Sequence, residues 1–200
     1  MGIQRRLLME QISLMDQCAL GRRMFGGAAP KTPEEFRARV PLTTFSDYAD
    51  VLLTHKEDML PAKPVVWLQT TWEGSGFPHK CAPYSQSMLE TYRTNILAAM
   101  ILSTSTGRGR FHVRPDSRVL YSLAPLPYAT GLFPQLVENE INLRFLPPLS
   151  EARKMSFGQQ TRKGYNMALK HGMNLFFGMS SVLYGATRNL EALNGKSPEK

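Results

Sequence analysis

Val65-Val66-Trp67-Leu68-Gln69-Thr70-Thr71-Trp72-Glu73-Gly74-Ser75-Gly76-Phe77-Pro78-His79-Lys80 decides how the rest of the chain is read. A short apolar run enters a turn rich in hydroxyls and glycines, the turn ends in a lysine, and an amphipathic segment follows. Strand, loop, lysine and helix, in that order, describe a phosphate holder. Glycines let backbone N–H groups wrap an anion, hydroxyls add donors, and the ammonium neutralises charge. The same residues also describe an ordinary surface turn with an incidental lysine, because a lone glycine-rich loop has low specificity.

Working outward, short apolar runs alternate with helical segments. Strands are expected over 65–69, 119–123, 141–146 and 173–179, with helices over 85–102, 132–138, 156–171 and 180–193. Met88, Tyr92, Ile96 and Met100 recur every four residues on the first of these helices and read as a core stripe. Residues 107–115 read as a polar, basic connection. Upstream, one apolar stripe predicts a single helix over 3–25, stopped by Gly26-Gly27. Thr32-Pro33-Glu34-Glu35 reads as a capping box opening a helix to Arg39, and Thr44 or Ser46 caps another over 47–55. The expected fold is α/β: a doubly wound, mostly parallel sheet with helices on both faces, preceded by an N-terminal helical segment. The division falls between a helical segment, 1–63, and an α/β segment, 64–200.

Composition narrows the function. At 42% hydrophobic and 20% charged residues, the 200-residue chain is globular. No apolar run approaches the roughly 18 residues that span a bilayer. No apolar region follows the basic N-terminus as in a secretory signal, so the expected location is cytoplasmic, with no membrane partner. Cys18 and Cys81 form no CxxC pair, and His55, His79, His112 and His171 are too scattered for a zinc site. The net charge is +8, with small clusters at Arg22-Arg23, Arg108 to Arg114 and Arg162-Lys163. None is a run of five or six, so charge alone does not argue for nucleic acid.

In open parallel sheets, ligands bind beyond the carboxyl ends of the strands. Residues 70–80, 124–131 and 178–181 are all expected there, each with glycine beside Ser or Thr, and convergence of the three on one crevice is expected. The first loop is no Walker motif: in Gly74-Ser75-Gly76-Phe77-Pro78-His79-Lys80-Cys81, His79 replaces the second glycine and Cys81 the hydroxyl that holds magnesium.

Thr70 to Lys80 instead resembles the Ser/Thr/Gly-rich phosphate loop of adenylate-forming enzymes, with its hydroxyls, glycines and closing lysine. Phe36-Arg37-Ala38-Arg39-Val40-Pro41-Leu42-Thr43-Thr44-Phe45-Ser46-Asp47-Tyr48 is similar to the stretch that precedes this loop in auxin-responsive-promoter-type acyl-amido synthetases and their bacterial relatives. Gly178-Met179-Ser180-Ser181-Val182-Leu183 is similar to the segment that opens a substrate-side helix there. The resemblance covers residues 30–190 in order. It implies a ligase that joins a small carboxylic acid to ATP, with Mg2+, and passes the acyl group to an amine or thiol. It further implies that Thr70, Thr71, Ser75 and the backbone of Gly74 to Gly76 hold the β- and γ-phosphates and that Lys80 supplies charge. Tyr128, Thr130, Gly131, Ser180 and Ser181 would shape the acid's pocket; the catalytic groups are not assigned. The family's adenine and ribose motifs and its terminal lysine domain have no counterpart here. The resemblance therefore implies an N-terminal part that does not complete the reaction alone. Trp72 and Glu73 stand where the family has a glycine and a hydroxyl, which leaves open a fold-retaining, non-catalytic binding or scaffold module. A basic nucleic-acid-binding domain is a third reading.

Overall fold

The structure is a computed structural model that describes residues 2–70, 79–138 and 140–194. The chain divides into two compact units, Met1–Met88 and Leu89–Lys200.

The first unit opens with α1 (Gly2–Asp16) and α2 (Ala19–Phe25), where a single helix was expected. The break is made by Cys18, whose backbone is extended and whose sulfur accepts the Gly21 N–H at 3.3 Å, a helix cap supplied by a thiol. Gly21 makes the tight return possible: a Cβ there would lie 1.9 Å from the Met15 carbonyl oxygen. In α3 (Pro33–Arg39), Thr32 accepts the Glu35 N–H at 3.1 Å and Pro33 takes the first turn as expected. The Glu35 carboxylate, however, reaches the Lys31 N–H at 2.7 Å, one residue before the one a full capping box would use. The helix expected over 47–55 contracts to a 3-10 turn at Phe45–Asp47 and α4 (Ala49–Leu52), with Thr44 and Asp47 closing the cap. Cys18, Leu20, Val51, Leu52 and Leu60 form the buried core of this unit.

β1 (Val66–Thr70) then pairs antiparallel with β2 (Lys80–Tyr84), in the register Thr70 opposite Lys80 and Val66 opposite Tyr84. This corrects the sequence reading, in which no strand lay between the lysine and the helix over 85–102 and β1 belonged to a parallel sheet. The second strand is hard to see because Pro83 lies inside it, and proline has no N–H to give a ladder.

In the second unit, α5 (Gln86–Ser103) leads to a small antiparallel hairpin of β3 (Ser105–Gly107) and β4 (Arg110–Phe111), which overlaps the stretch over 107–115 read as a plain connection. There follow β5 (Arg118–Ser122), α6 (Leu132–Val137), β6 (Arg144–Leu146), α7 (Leu149–Ala152), α8 (Phe157–His171), β7 (Leu175–Gly178) and α9 (Ser180–Asn194). The three strands form a parallel sheet in the order β6-β5-β7.

Alternation along β5 separates two apolar layers. Val119 and Tyr121 pack with Ile96 and Met100 of α5 and with Phe133 and Val137 of α6. Leu120 packs with Leu146, with Tyr165 of α8, and with half-buried Leu183 and Ala186 of α9. Helices therefore cover both faces of this sheet, which explains why its strands read as continuous apolar runs. Phe133, 1% exposed, contributes about 1.5–3 kcal/mol by burial alone. Met88, expected in the core stripe, is instead 46% exposed. The Ser156–Gln159 capping box opens α8, and Gly172, at φ 73°, closes it as the sequence indicates. At Gly164 a Cβ would lie 2.7 Å from the Leu146 carbonyl oxygen, so α8 approaches the sheet at a distance only glycine allows.

The fold is α/β, with small parallel and antiparallel sheets. Among the described residues the parallel sheet has three strands, and no helix is long and apolar enough to cross a membrane.

Candidate functional site

The first candidate surface is the loop end, or mouth, of the β1–β2 hairpin. Antiparallel pairing sets Thr70, which is exposed, directly across from half-buried Lys80. The Lys80 ammonium lies 5.7 Å from the centroid of the Phe45 ring. Phe45 belongs to the 36–48 stretch, so two separately recognised segments meet at one cation. A lysine held over a ring gains about 0.5–1 kcal/mol. Among the described residues no carboxylate pairs with Lys80. Below the mouth, Trp67 stacks on His55 with centroids 4.0 Å apart and donates its indole N–H to Glu57 at 3.4 Å. Cys81 is 4% exposed, and burial pushes its thiol pKa up, which favours the unreactive thiol.

Thr71, Gly74, Ser75 and Gly76, together with Trp72 and Glu73, lie outside the described residues. The two ends of that loop can still be tested against a polyphosphate. A hydroxyl on one strand and an ammonium on the other fit an anion. Magnesium does not find a comparable set: among the described residues no group of three or more His, Cys, Asp or Glu side chains is placed to hold a metal ion.

The second surface is the carboxyl end of the parallel sheet. β5 is followed by α6 on one face and neighbouring β7 by α9 on the other, so the chain departs in opposite directions from adjacent strands. In α/β sheets, ligands bind beyond the carboxyl ends of the parallel strands. A cavity of about 290 Å³ lies at the ends of β5 and β6. Leu123, Leu126 and Pro134 give it apolar walls, and Tyr121, Arg153 and Gln160 give it polar groups.

The loop after β5 is locked into shape. The Thr130 hydroxyl donates to the Ala124 carbonyl at 3.2 Å, and the Gly131 N–H donates to the Tyr128 carbonyl at 2.9 Å. A Cβ on Gly131 would fall 2.3 Å from the Leu126 nitrogen, so this position must be glycine. Of the expected pocket residues, Thr130 and Gly131 line the cavity. Tyr128 is half-buried in the loop and Ser180 and Ser181 are exposed at the start of α9; none of the three lines it. The hairpin belongs to the first unit and these loops to the second.

Three cavity residues carried no sequence signal. Tyr121 is 4% exposed, and its pKa is pushed up to about 12 by burial, with Arg153 pulling it down and Glu138 pushing it up. It is a neutral hydrogen-bond donor at any physiological pH. Gln160 is 2% exposed. Arg153 donates to the Glu138 carboxylate at 3.4 Å with most of its side chain in solvent, where such a pair is weak and the guanidinium is easily shared with a ligand.

The GH3 family N-terminal domain matches residues 1–122, which include the hairpin, the stretch before it and the whole of β5. The match spans more than half of the 200 residues, and the chain belongs to the GH3 family, the auxin-responsive acyl-amido synthetases of the adenylate-forming superfamily. Enzymes of that family use ATP and Mg2+ in adenylation. No curated protein matches the chain significantly.

Proposed function

We propose that this chain is the N-terminal part of an ATP-dependent ligase that converts a small carboxylic acid to its acyl-adenylate and passes the acyl group to an amine or thiol. The observation that carries the proposal is the hairpin inside the family match: Thr70 and Lys80 face each other across a loop supplying Thr71, Ser75 and the Gly74 and Gly76 backbones. These groups hold the β- and γ-phosphates, and their charge and dipoles stabilise pyrophosphate as it departs. Phe45 holds the Lys80 ammonium beside its ring, 5.7 Å from the centroid. No step is assigned to magnesium, for which the described residues offer no ligand set.

The acid lies in the second unit, its hydrocarbon body against Leu123, Leu126 and Pro134 and its carboxylate toward Arg153. Tyr128, Ser180 and Ser181 belong to the surrounding crevice. In this reading residues 1–63 are a helical lead-in and 64–200 an α/β segment. The three parallel strands are the centre of a doubly wound sheet, and the protein works in the cytoplasm, where ATP is supplied. The test is ATP–pyrophosphate exchange by the longest natural form of the protein with a panel of small acids. Lys80→Ala is expected to lower exchange by on the order of a hundredfold. Absence of exchange with every acid, alongside ATP binding indifferent to Lys80→Ala, would refute the reading.

A second reading, a fold-retaining module without chemistry, is favoured by Trp72 and Glu73. Glu73 puts a negative charge beside the phosphates, and Trp72 takes the place of a permissive glycine. Lys80-dependent exchange would eliminate it.

A further inference from the structure

The cavity in the second unit has an open rim and a closed floor with different chemistry. The rim carries exposed Thr130 and Gln135 and the largely solvated guanidinium of Arg153. The floor carries Tyr121 and Gln160, at 4% and 2% exposure. Neither the Tyr121 hydroxyl nor the Gln160 side-chain amide has a hydrogen-bond partner among the described residues, although both residues line the cavity. Among the described residues the fully buried side-chain polar atom without a partner is the Tyr165 hydroxyl, so the polar groups of Tyr121 and Gln160 open onto the cavity and are free to pair with a ligand there.

The position of these groups decides what they bind. A carboxylate is charged and keeps its hydration most easily at the solvated rim, beside Arg153. A carboxylate on the floor would be buried against two neutral groups, at a large desolvation cost. A neutral oxygen suits the floor: the phenol donates to it, and the amide donates to it or accepts from it.

We propose that Tyr121 and Gln160 are specificity-determining residues that read a neutral oxygen, a hydroxyl or carbonyl, on the acid at a point remote from its carboxylate. The substrate class is thus an oxygenated carboxylic acid rather than a plain hydrocarbon one. This rests on the acid-binding reading of the cavity given above.

The test compares phenylacetate with its 2-, 3- and 4-hydroxy isomers by calorimetric binding to the whole chain. At least one isomer is expected to bind roughly tenfold more tightly than phenylacetate, because a site with unpaired polar groups penalises a ligand that cannot pair with them. Tyr121→Phe and Gln160→Met are expected to bring that ratio close to one while leaving phenylacetate affinity within about threefold, which also reports that the variants are folded. If phenylacetate binds and no isomer binds more tightly, the proposal fails and the acid-binding reading stands. If both variants weaken phenylacetate and its isomers equally, these residues hold the carboxylate and the proposal fails. If neither phenylacetate nor any isomer binds while ATP binding persists, the cavity is not an acid site and both readings of it fall.

Discussion

The hairpin mouth and the sheet-end cavity present opposite solutions to ligand recognition. The mouth is short in sequence, exposed and charged: Thr70 and Lys80 lie ten positions apart and directly opposite each other in space. The cavity draws on residues from Tyr121 to Gln160, contributed by a strand, a locked loop and three helices, with its polar floor almost wholly buried. An anion asks for exposed donors that neighbours in the chain can supply. A small acid asks for an enclosed, mostly apolar space, which only packing of distant segments creates. Motifs therefore announce the first kind of site and reach the second only through Thr130 and Gly131 of its loop.

The sharpest way to break this comparison is at Gly164. An alanine there places a methyl 2.7 Å from the Leu146 carbonyl and 3.0 Å from Leu120. Pushing α8 off the sheet is expected to destabilise the second unit by about 1–3 kcal/mol. Native-state hydrogen exchange is the measurement: protection should fall across β5, β6 and β7 while the β1–β2 ladder keeps its own. Equal loss in both would mean that the two units share one cooperative transition.

A smaller effect is expected at Phe45. Replacing it with leucine keeps the apolar contact with the first unit's core but removes the ring from beneath Lys80. The loss of about 0.5–1 kcal/mol corresponds to a two- to fivefold weaker ATP affinity, measured by titration. Acid binding to the cavity should not change. An unchanged ATP affinity would show that the Lys80 ammonium needs no ring to hold its direction.

How much was legible follows the same division. The capping box at Ser156 and Gln159, the glycine after α8 and the cores of β5 and β7 could be read because each is a local rule written in adjacent residues. The α1–α2 break was missed because its agents, a thiol cap at Cys18 and the close approach at Gly21, carry no helix-stop signature; an apolar stripe runs through them. β2 was missed because Pro83 contradicts the usual strand pattern, and its omission left Lys80 in the connection to the helix over 85–102 rather than in a hairpin. At the candidate sites, Thr70, Lys80, Thr130 and Gly131 were named from motif positions. Tyr121 looked like one more apolar strand residue, and Gln160 like the neighbour of a capping glutamine. Phe45 was quoted as part of a motif, but its role under Lys80 exists only once β2 pairs with β1.

The smallest expected effect concerns the carboxylates that fix the entrance to α4. Asp47 is held below the usual carboxylate range chiefly by the Thr44 backbone N–H, with the Thr44 hydroxyl adding to it. Asp50 is held down chiefly by its hydrogen-bonded pair with Arg23, whose guanidinium nitrogens lie 2.9 and 3.0 Å from its oxygens and which also donates to the Asp47 carbonyl. A lowered pKa means that the folded chain binds fewer protons than the unfolded chain near the ordinary value of 3.8. The stabilisation is therefore complete above that value and is lost as pH falls through the lower, folded one. Both groups are solvent-exposed, so the gain is modest and salt-sensitive. Acid titration followed by exchange protection in β1 and β2 should show protection falling below about pH 4 in the wild type. Asp47→Asn and Asp50→Asn together should start lower at neutral pH and lose less on acidification. Neither aspartate lies in the second unit, so the β5–β7 ladder should show no difference between wild type and double variant. Should that ladder respond as strongly as the hairpin, the acid sensitivity arises elsewhere, and the Thr44–Asp47–Arg23–Asp50 cluster does not control it.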